Sequence, residues 1–415
     1  MCLKCKAVDP YSESSCTESV LKPLYTFPGS IISRFLFILL IPIPFFILSA
    51  TVYYTGVSPM TAIEIFKNRS ELAASIRNYF FKKGYLEVDT PLLSPFLIPE
   101  ANIEIFASQY IQPDGEAREL YLIPSPELWM KRLLALGTGS IFQISRCFRN
   151  FESFGAHHNP EFTMLEYYSV GADYRKAMEI TEELFLHLLH ELNLAPLLTY
   201  QNQVIDLKPP YLRLSISEAF KRYAGIDLPG CLAAARSGAA TETCSSQTAH
   251  RQLKKIAAAA QGKGIAVSSS DNWEQIFNKI FLSLVEPSLP PDKPVFLFDY
   301  PQLLSTLAKQ NGTTPYAQRW ELYIAGLELA NCYTEETDAS LIDSFIQKEH
   351  IEKLSARIPH RPDRALSGFF KAEYPECSGV ALGIDRLLML FLNQQNISGV
   401  IFFPFSAMLK NNTHE

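Results

Sequence analysis

The sequence predicts an α+β fold, a mostly antiparallel sheet flanked by helices. Three observations carry that expectation. Strand-like and helix-like stretches both recur, but without the regular alternation that a parallel sheet needs. Two strand patterns, "SIFQISRCFRN" and "EFTMLEYYS", stand where a hairpin would pair them. The composition, 47% hydrophobic and 19% charged over 415 residues, is that of a globular chain with room for one large domain or two smaller ones.

The first 60 residues are set apart from the rest. "IISRFLFILLIPIPFFILSATVYY", residues 31–54, is apolar except for Arg34 and is long enough to cross a bilayer. It reads either as a membrane anchor or as an over-extended start, with Met60 the true initiator. In both cases it is left out of the fold, and the domain expected to matter runs from 61 to 410. Globular pattern begins at once after Met60. Ile65, Leu72, Ile76, Tyr79 and Phe80 recur at helical spacing, and Gly84 supplies a stop. "YLEVDTPLLSP" alternates as a short strand cut by Pro91. "SPELWMKRLLALG" predicts a helix with Ser125 as N-cap and Pro126 in the first turn. The two strands of the hairpin follow, then a helix over about 174–193.

Residues 230–270 are rich in small residues with little periodicity and are expected to be a surface insertion, partly helical near "RQLKKIAAAAQ". "KPVFLFDYP" and "QRWELYIAGLELANCY" return to strand pattern. "CSGVALGIDRLLMLFLNQQ" passes from a strand through Gly383 into a helix.

A net charge of −6 gives no general pull toward nucleic acid or anionic membrane, so an anionic ligand must be met by local groups. The eight cysteines are mostly single, as in a reduced, cytoplasmic protein; Cys2 and Cys5 form one C-x-x-C without the second pair that zinc needs.

The hairpin carries the chemistry. Phe162, Met164, Glu166 and Tyr168 share one strand face, and Gln143, Ser145, Cys147 and Arg149 share one on the preceding strand. An arginine fork suits phosphate oxygens, an aromatic ring can stack on a base, and a carboxylate can accept from an ammonium. Taken alone, the stretch fits a salt-bridged sheet surface equally well. His157 and His158 are sequence neighbours and cannot easily share one metal ion. Glu321 and Glu328 could hold Mg²⁺ if a bulge, expected at Gly326, brought them to one face. Asp385 and Arg386 open the last helix, where backbone N–H groups favour anions.

Together these segments resemble the three signature motifs of the class II aminoacyl-tRNA synthetases: the first helix with "YLEVDTP", then "CFRNFES…HHNPEFTMLEYY", then "GVALGIDRLLML". The resemblance covers about residues 62–405, leaves 230–270 unmatched, and is strongest to the lysyl enzymes. Those carry an anticodon-binding barrel before the first motif, whereas the 60 hydrophobic-rich residues here do not suit one. The chain therefore resembles the truncated branch, the elongation factor P–(R)-β-lysine ligases.

That resemblance implies ATP and Mg²⁺ as cofactors, lysine or (R)-β-lysine as substrate, elongation factor P as acceptor, a homodimer with Pro91 and the first helix at its interface, and no tRNA binding. A lysyl-tRNA synthetase lacking its anticodon domain and a non-catalytic amino-acid sensor are the alternatives. The same resemblance assigns the α-phosphate to Arg149, the γ-phosphate to Arg386 and adenine to Phe162. Asn150, Glu152, Asn159, Glu328, Leu329 and Gly383 would complete the nucleotide site, and Glu321 and Glu328 would bind the metal. Glu166, Tyr168 and Glu335 would receive the side-chain ammonium and Ser125 with Glu127 the other amino group, with Pro126 and Asn331 also in the substrate site. Ala381 stands where the lysyl enzymes have glycine, and its methyl group would reshape the amino-acid pocket.

Overall fold

The structure is a computed structural model and describes residues 60–152, 155–232, 242–304, 306–370 and 374–410. The apolar stretch 31–54 and the Cys2–Cys5 pair lie outside the described residues. The described residues belong to one compact unit, Met60–Glu415. None of their helices is long and apolar enough to cross a membrane.

Helix α1 (Ala62–Lys82) starts on a capping box in which Thr61 and Glu64 exchange hydrogen bonds, and Gly84 ends it with a positive φ of 80°. The expected strand around Pro91 shrinks to two short pieces, β1 (Leu86–Glu87) and β2 (Leu93–Ser94). A hairpin the sequence pattern did not reveal follows, β3 (Phe106–Ile111) and β4 (Ala117–Leu122); β2 pairs with β4 in a small three-stranded sheet. Helix α2 (Glu127–Leu134) takes Pro126 as its N-cap residue, so Ser125 stands one position outside, its Oγ 3.4 Å from the Glu127 N–H.

The expected hairpin forms from β5 (Ile141–Phe148) and β6 (Glu161–Val170), with Gln143 opposite Glu166 and Cys147 opposite Phe162. Helix α3 (Tyr174–Glu191) is capped by Asp173. A small hairpin, β7 (Leu197–Tyr200) and β8 (Gln203–Asp206), leads to β9 (Leu212–Ser215) and α4 (Ile216–Ala219).

The region read as a surface insertion packs into a second core, which it shares with β9 and the next two strands of the main sheet. Helix α5 (Glu242–Gln261) packs with α6 (Trp273–Ile280), burying Ile256, Ala260, Ile276 and Phe277 against Phe220 and Leu228. Its alanines obscure the periodicity because they count weakly as apolar yet let the helices approach closely.

Strand β10 (Val295–Pro301) pairs with β11 (Tyr316–Ile324), which turns back as β12 (Leu327–Thr334). The segment expected to be one strand is thus a hairpin, turned by Ala325 and Gly326 with φ of 51° and 77°. Helix α7 (Ala339–Lys353), strand β13 (Cys377–Gly383), α8 (Ile384–Phe391) and α9 (Phe405–Lys410) complete the described elements.

The main sheet has eight strands in the order β1-β5-β6-β13-β12-β11-β10-β9. Its edge pairs β1–β5 and β9–β10 are parallel and the pairs between them antiparallel, as expected. Strand alternation gives it two unlike faces. Phe142, Leu165, Tyr167, Cys332, Val380 and Leu382 point into a core shared with α1, α3 and α8. Trp320 anchors that side, its indole N–H donating to the Tyr174 carbonyl at 2.6 Å. The opposite face carries Glu166, Tyr168, Asn331, Tyr333 and Ala381, and it floors a cavity. Cys147, Cys231, Cys332 and Cys377 are buried free thiols.

Candidate active site

The cavity encloses about 400 Å³ and has two chemically opposite ends. At one end stand two guanidiniums. Arg149, at the end of β5, lies with its Cζ 5.2 Å from the Phe162 ring centre, and its Nε is buried without an acceptor among the described residues. Arg386, in the first turn of α8, is held from three sides. Its Nη1 donates to the Glu328 carbonyl at 2.7 Å, its Nε to the His157 carbonyl at 3.2 Å, and its Nη2 lies 2.9 Å from His158 Nε2. Burial and the charge of Arg386 lower the pKa of both histidines, so neutral His158 can accept that bond. Asp385, which also lines the cavity, accepts the Thr163 N–H at 2.6 Å and pairs with Arg69, which locks α8 onto β6 and α1.

Glu152, Asn159, Leu329 and Gly383 line the same end. Asn159 bridges the loop, donating to the Glu161 carbonyl at 2.6 Å and accepting from Phe405 N at 3.0 Å. Asn150 does not line the cavity. Its amide reaches the Ile105 carbonyl at 3.2 Å and tethers the end of β5 to the segment before β3.

At the other end are carboxylates. Glu166 is 3% and Glu335 1% exposed, and Glu127 faces them from α2. Tyr168 donates to Glu166 Oε1 at 2.8 Å, while Glu166 Oε2 is buried with no partner among the described residues. Burial pushes Glu335 up to about 8, with Glu127 adding to the effect; Glu166 is raised well above the carboxylate range by burial and then by Glu127. Such a pocket is short of positive charge. Ser125, Asn331 and Ala381 also line it, whereas Pro126 serves the backbone of α2 and stays outside. Ala381 lies between Glu166 and Asn331 across the sheet, so its methyl group does occupy the floor of this pocket.

The two glutamates expected to hold metal share a face, but through a different device. The register of β11 and β12 slips between Leu322 and Tyr323 and leaves Leu329 unpaired. The bulge is therefore at Leu329, and Gly326 is in the turn. Glu328 lines the cavity, raised to about 7 by burial and by Glu321. Glu321 sits one layer back. Arg319 donates to its Oε1 at 2.7 Å, and Tyr300 and Tyr323 to its Oε2 at 2.7 and 2.8 Å. Among the described residues no group of three or more His, Cys, Asp or Glu is placed to hold a metal ion, so Mg²⁺ here would rest on two carboxylates and the phosphates it carries.

Three participants escaped the sequence reading. Arg319 tethers Glu321. Gly379 leaves room for Tyr168: a Cβ there would lie 2.6 Å from a Tyr168 ring carbon and 3.0 Å from Glu335 Oε1. Lys131, fully buried, sets its Nζ 2.6 Å from Glu127 Oε1 and 2.8 Å from Glu335 Oε2. The first glycine of "GVALG" was a visible signal; a lysine within an ordinary amphipathic helix was not.

The family model described as tRNA synthetases class II (D, K and N) matches residues 53–407. The chain belongs to that family. It is 34% identical over 349 residues to an elongation factor P–(R)-β-lysine ligase of Proteus mirabilis, covering 83% of this chain and 96% of the relative. A ligase of the same name from Vibrio vulnificus is 33% identical over 84% of this chain and 97% of its own. A lysine–tRNA ligase of Pelotomaculum thermopropionicum is 36% identical over 82% of this chain, which spans 63% of that relative's length. The enzyme is thus a ligase of the class II synthetase type, and its resemblance to the elongation factor P–(R)-β-lysine ligases extends over most of both chains.

Proposed function

We propose that the enzyme activates lysine or (R)-β-lysine with ATP and transfers the acyl group to a lysine side chain of elongation factor P. The observation that carries this reading is the division of one cavity into a guanidinium end and an end of three carboxylates, the buried Glu166 and Glu335 and the half-buried Glu127. Near-complete coverage of the ligases supports the protein acceptor.

In the first step the substrate carboxylate attacks the α-phosphorus of ATP and pyrophosphate leaves. Negative charge builds on the α-phosphoryl oxygens, where Arg149 would meet it with a fork that has no other partner to give up at Nε. Arg386, clamped by two carbonyls and His158, is pre-organised to hold the departing phosphates without spending side-chain entropy. Phe162 offers its face to adenine. Glu166, Tyr168 and Glu335 would seat the side-chain ammonium, and Ser125 with Glu127 the other amino group, which orients the carboxylate toward the phosphorus. In the second step an amine nitrogen attacks the acyl carbon, and AMP departs.

Glu328 and Glu321 would hold Mg²⁺. Glu328 fits, because a buried carboxylate raised by its neighbour gains from a cation; Glu321 fits once Arg319 turns from it to a phosphate oxygen. The ion would supply charge neutralisation between phosphate oxygens. Exposed Ile63, Phe66, Leu92 and Leu93 on and after α1 support a homodimer through this side.

Pyrophosphate exchange that depends on lysine or (R)-β-lysine tests the activation step. The identity to a lysine–tRNA ligase keeps a second acceptor in view. With elongation factor P and tRNA offered together, label is expected on the protein; label on tRNA alone would overturn the acceptor assignment.

A further inference from the structure

We infer that Lys131 is a positioning residue: it links the two ammonium subsites of the pocket and fixes the pocket's charge to suit a substrate with two amino groups. The inference rests on the amino-acid activation proposed above.

Lys131 follows Glu127 by one turn of α2 and is fully buried, yet it is not part of the cavity wall. It stands behind two residues that are. Besides Glu127 and Glu335, its Nζ reaches the Tyr333 hydroxyl at 3.4 Å, and that hydroxyl donates to Glu127 in turn. Glu127 belongs to one proposed ammonium subsite and Glu335 to the other, so a single ammonium braces one carboxylate of each. Burial works against its charge, but Glu127 and Glu335 outweigh that and hold it protonated. A purely structural ion pair would need one acid only, and neither partner would have to face a ligand.

The charge balance points the same way. In the empty pocket burial holds Glu335 largely protonated below about pH 8. Once the substrate's ammonium groups draw out that proton, Lys131 offsets one of the three charges on Glu127, Glu166 and Glu335. Glu100, which also lines the cavity and interacts with Glu127, adds to the surplus of acid. A diamino acid brings two ammonium groups, and its own carboxylate loses its charge on forming the adenylate. Glu166 Oε2, buried and without a partner among the described residues, marks where one ammonium hydrogen would go. Without Lys131, three acids would share a site with too few cations, and one of them would take up a proton and cease to serve the substrate. An acid with one amino group leaves a buried carboxylate unpaired, which is the basis of rejection.

The test is pyrophosphate exchange with lysine and with norleucine, in which hydrogen replaces the side-chain amine, for the full chain and the variants K131M and K131M/E335Q. For K131M the KM for lysine is expected to rise about tenfold or more, with kcat and the KM for ATP changed much less. The preference for lysine over norleucine in kcat/KM falls with it. The double variant restores two negative charges and is expected to regain part of that preference. Loss in kcat and in ATP affinity equal to the loss for lysine, or a double variant no more selective than K131M, would overturn the role. If K131M does not fold, the double variant carries the test, because removing a buried cation together with one of its acids spares the fold; equal use of lysine and norleucine by it would overturn the inference. Absence of exchange in the unaltered enzyme is a different failure: it overturns the activation reading, and the role of Lys131 with it.

Discussion

The two ends of the cavity are built on opposite plans. At the guanidinium end Arg386 is held by two backbone carbonyls and a neutral histidine while Arg149 lies over Phe162, and both come from compact stretches of sequence. At the amino-acid end the charged groups are side chains held by other side chains, drawn from α2, β6 and the segment after β12. Carbonyl dipoles position an arginine without altering its charge. Packed carboxylates alter one another, so each acid at the amino-acid end depends on Lys131, on the tyrosines and on the ligand.

The sharpest way to separate the ends is to remove Arg149. Arg149→Ala is expected to lower kcat for pyrophosphate exchange by about 10²–10³-fold with little change in the KM for lysine, the mark of a group that acts on transition-state charge. Glu166→Gln should do the reverse, raising the KM for lysine by about 10–100-fold and sparing the KM for ATP, because an amide cannot offset the ammonium charge. Gly379→Ala forces a methyl group against Tyr168; denaturant unfolding should show a loss of about 1–3 kcal/mol, with the KM for lysine rising and that for ATP holding.

The smallest effect expected is that of pH. Glu335 is raised to about 8 in the empty pocket, so below that pH it is largely protonated and lacks the charge that binds an ammonium. The kcat/KM for lysine is therefore expected to rise about tenfold as pH climbs from 7 to 9 and then level. Stability runs the other way. A carboxyl whose folded pKa lies above its unfolded value contributes most below the unfolded value and loses that contribution as pH rises through the folded one. The melting temperature of the empty enzyme should fall between about pH 5 and 8, and saturating lysine should flatten the fall.

Much of the cavity's floor was legible along the chain. Strand alternation put Phe162, Met164, Glu166 and Tyr168 on one face because a side-chain period of two is a property of the backbone, and all four line the cavity. The strand-to-helix passage at Gly383 likewise placed Arg386. Boundaries failed where local rules compete: Pro126 sits at the N-cap in place of Ser125, and the span from Gln318 to Tyr333 reads as continuous strand although Ala325 and Gly326 turn it. Asn150 matched a motif by position, yet its amide is used to hold the segment before β3. Glu321 was chosen for spacing to Glu328, while its immediate surroundings, Arg319, Tyr300 and Tyr323, come from two strands brought together only by the sheet.

By itself, then, the sequence determined the class of fold, the family, and which residues could carry charge into a shared site. Those follow from periodicity, turn chemistry and motif spacing, each of which acts over a few neighbouring residues. The tertiary structure decided which of those charges are compensated. It buried Lys131 between acids 4 residues before it and 204 after it, supplied the bulge at Leu329, and made Gly379 the space that Tyr168 needs. Burial and compensation are sums over everything within a few ångströms, and most of what lies that close is distant in sequence.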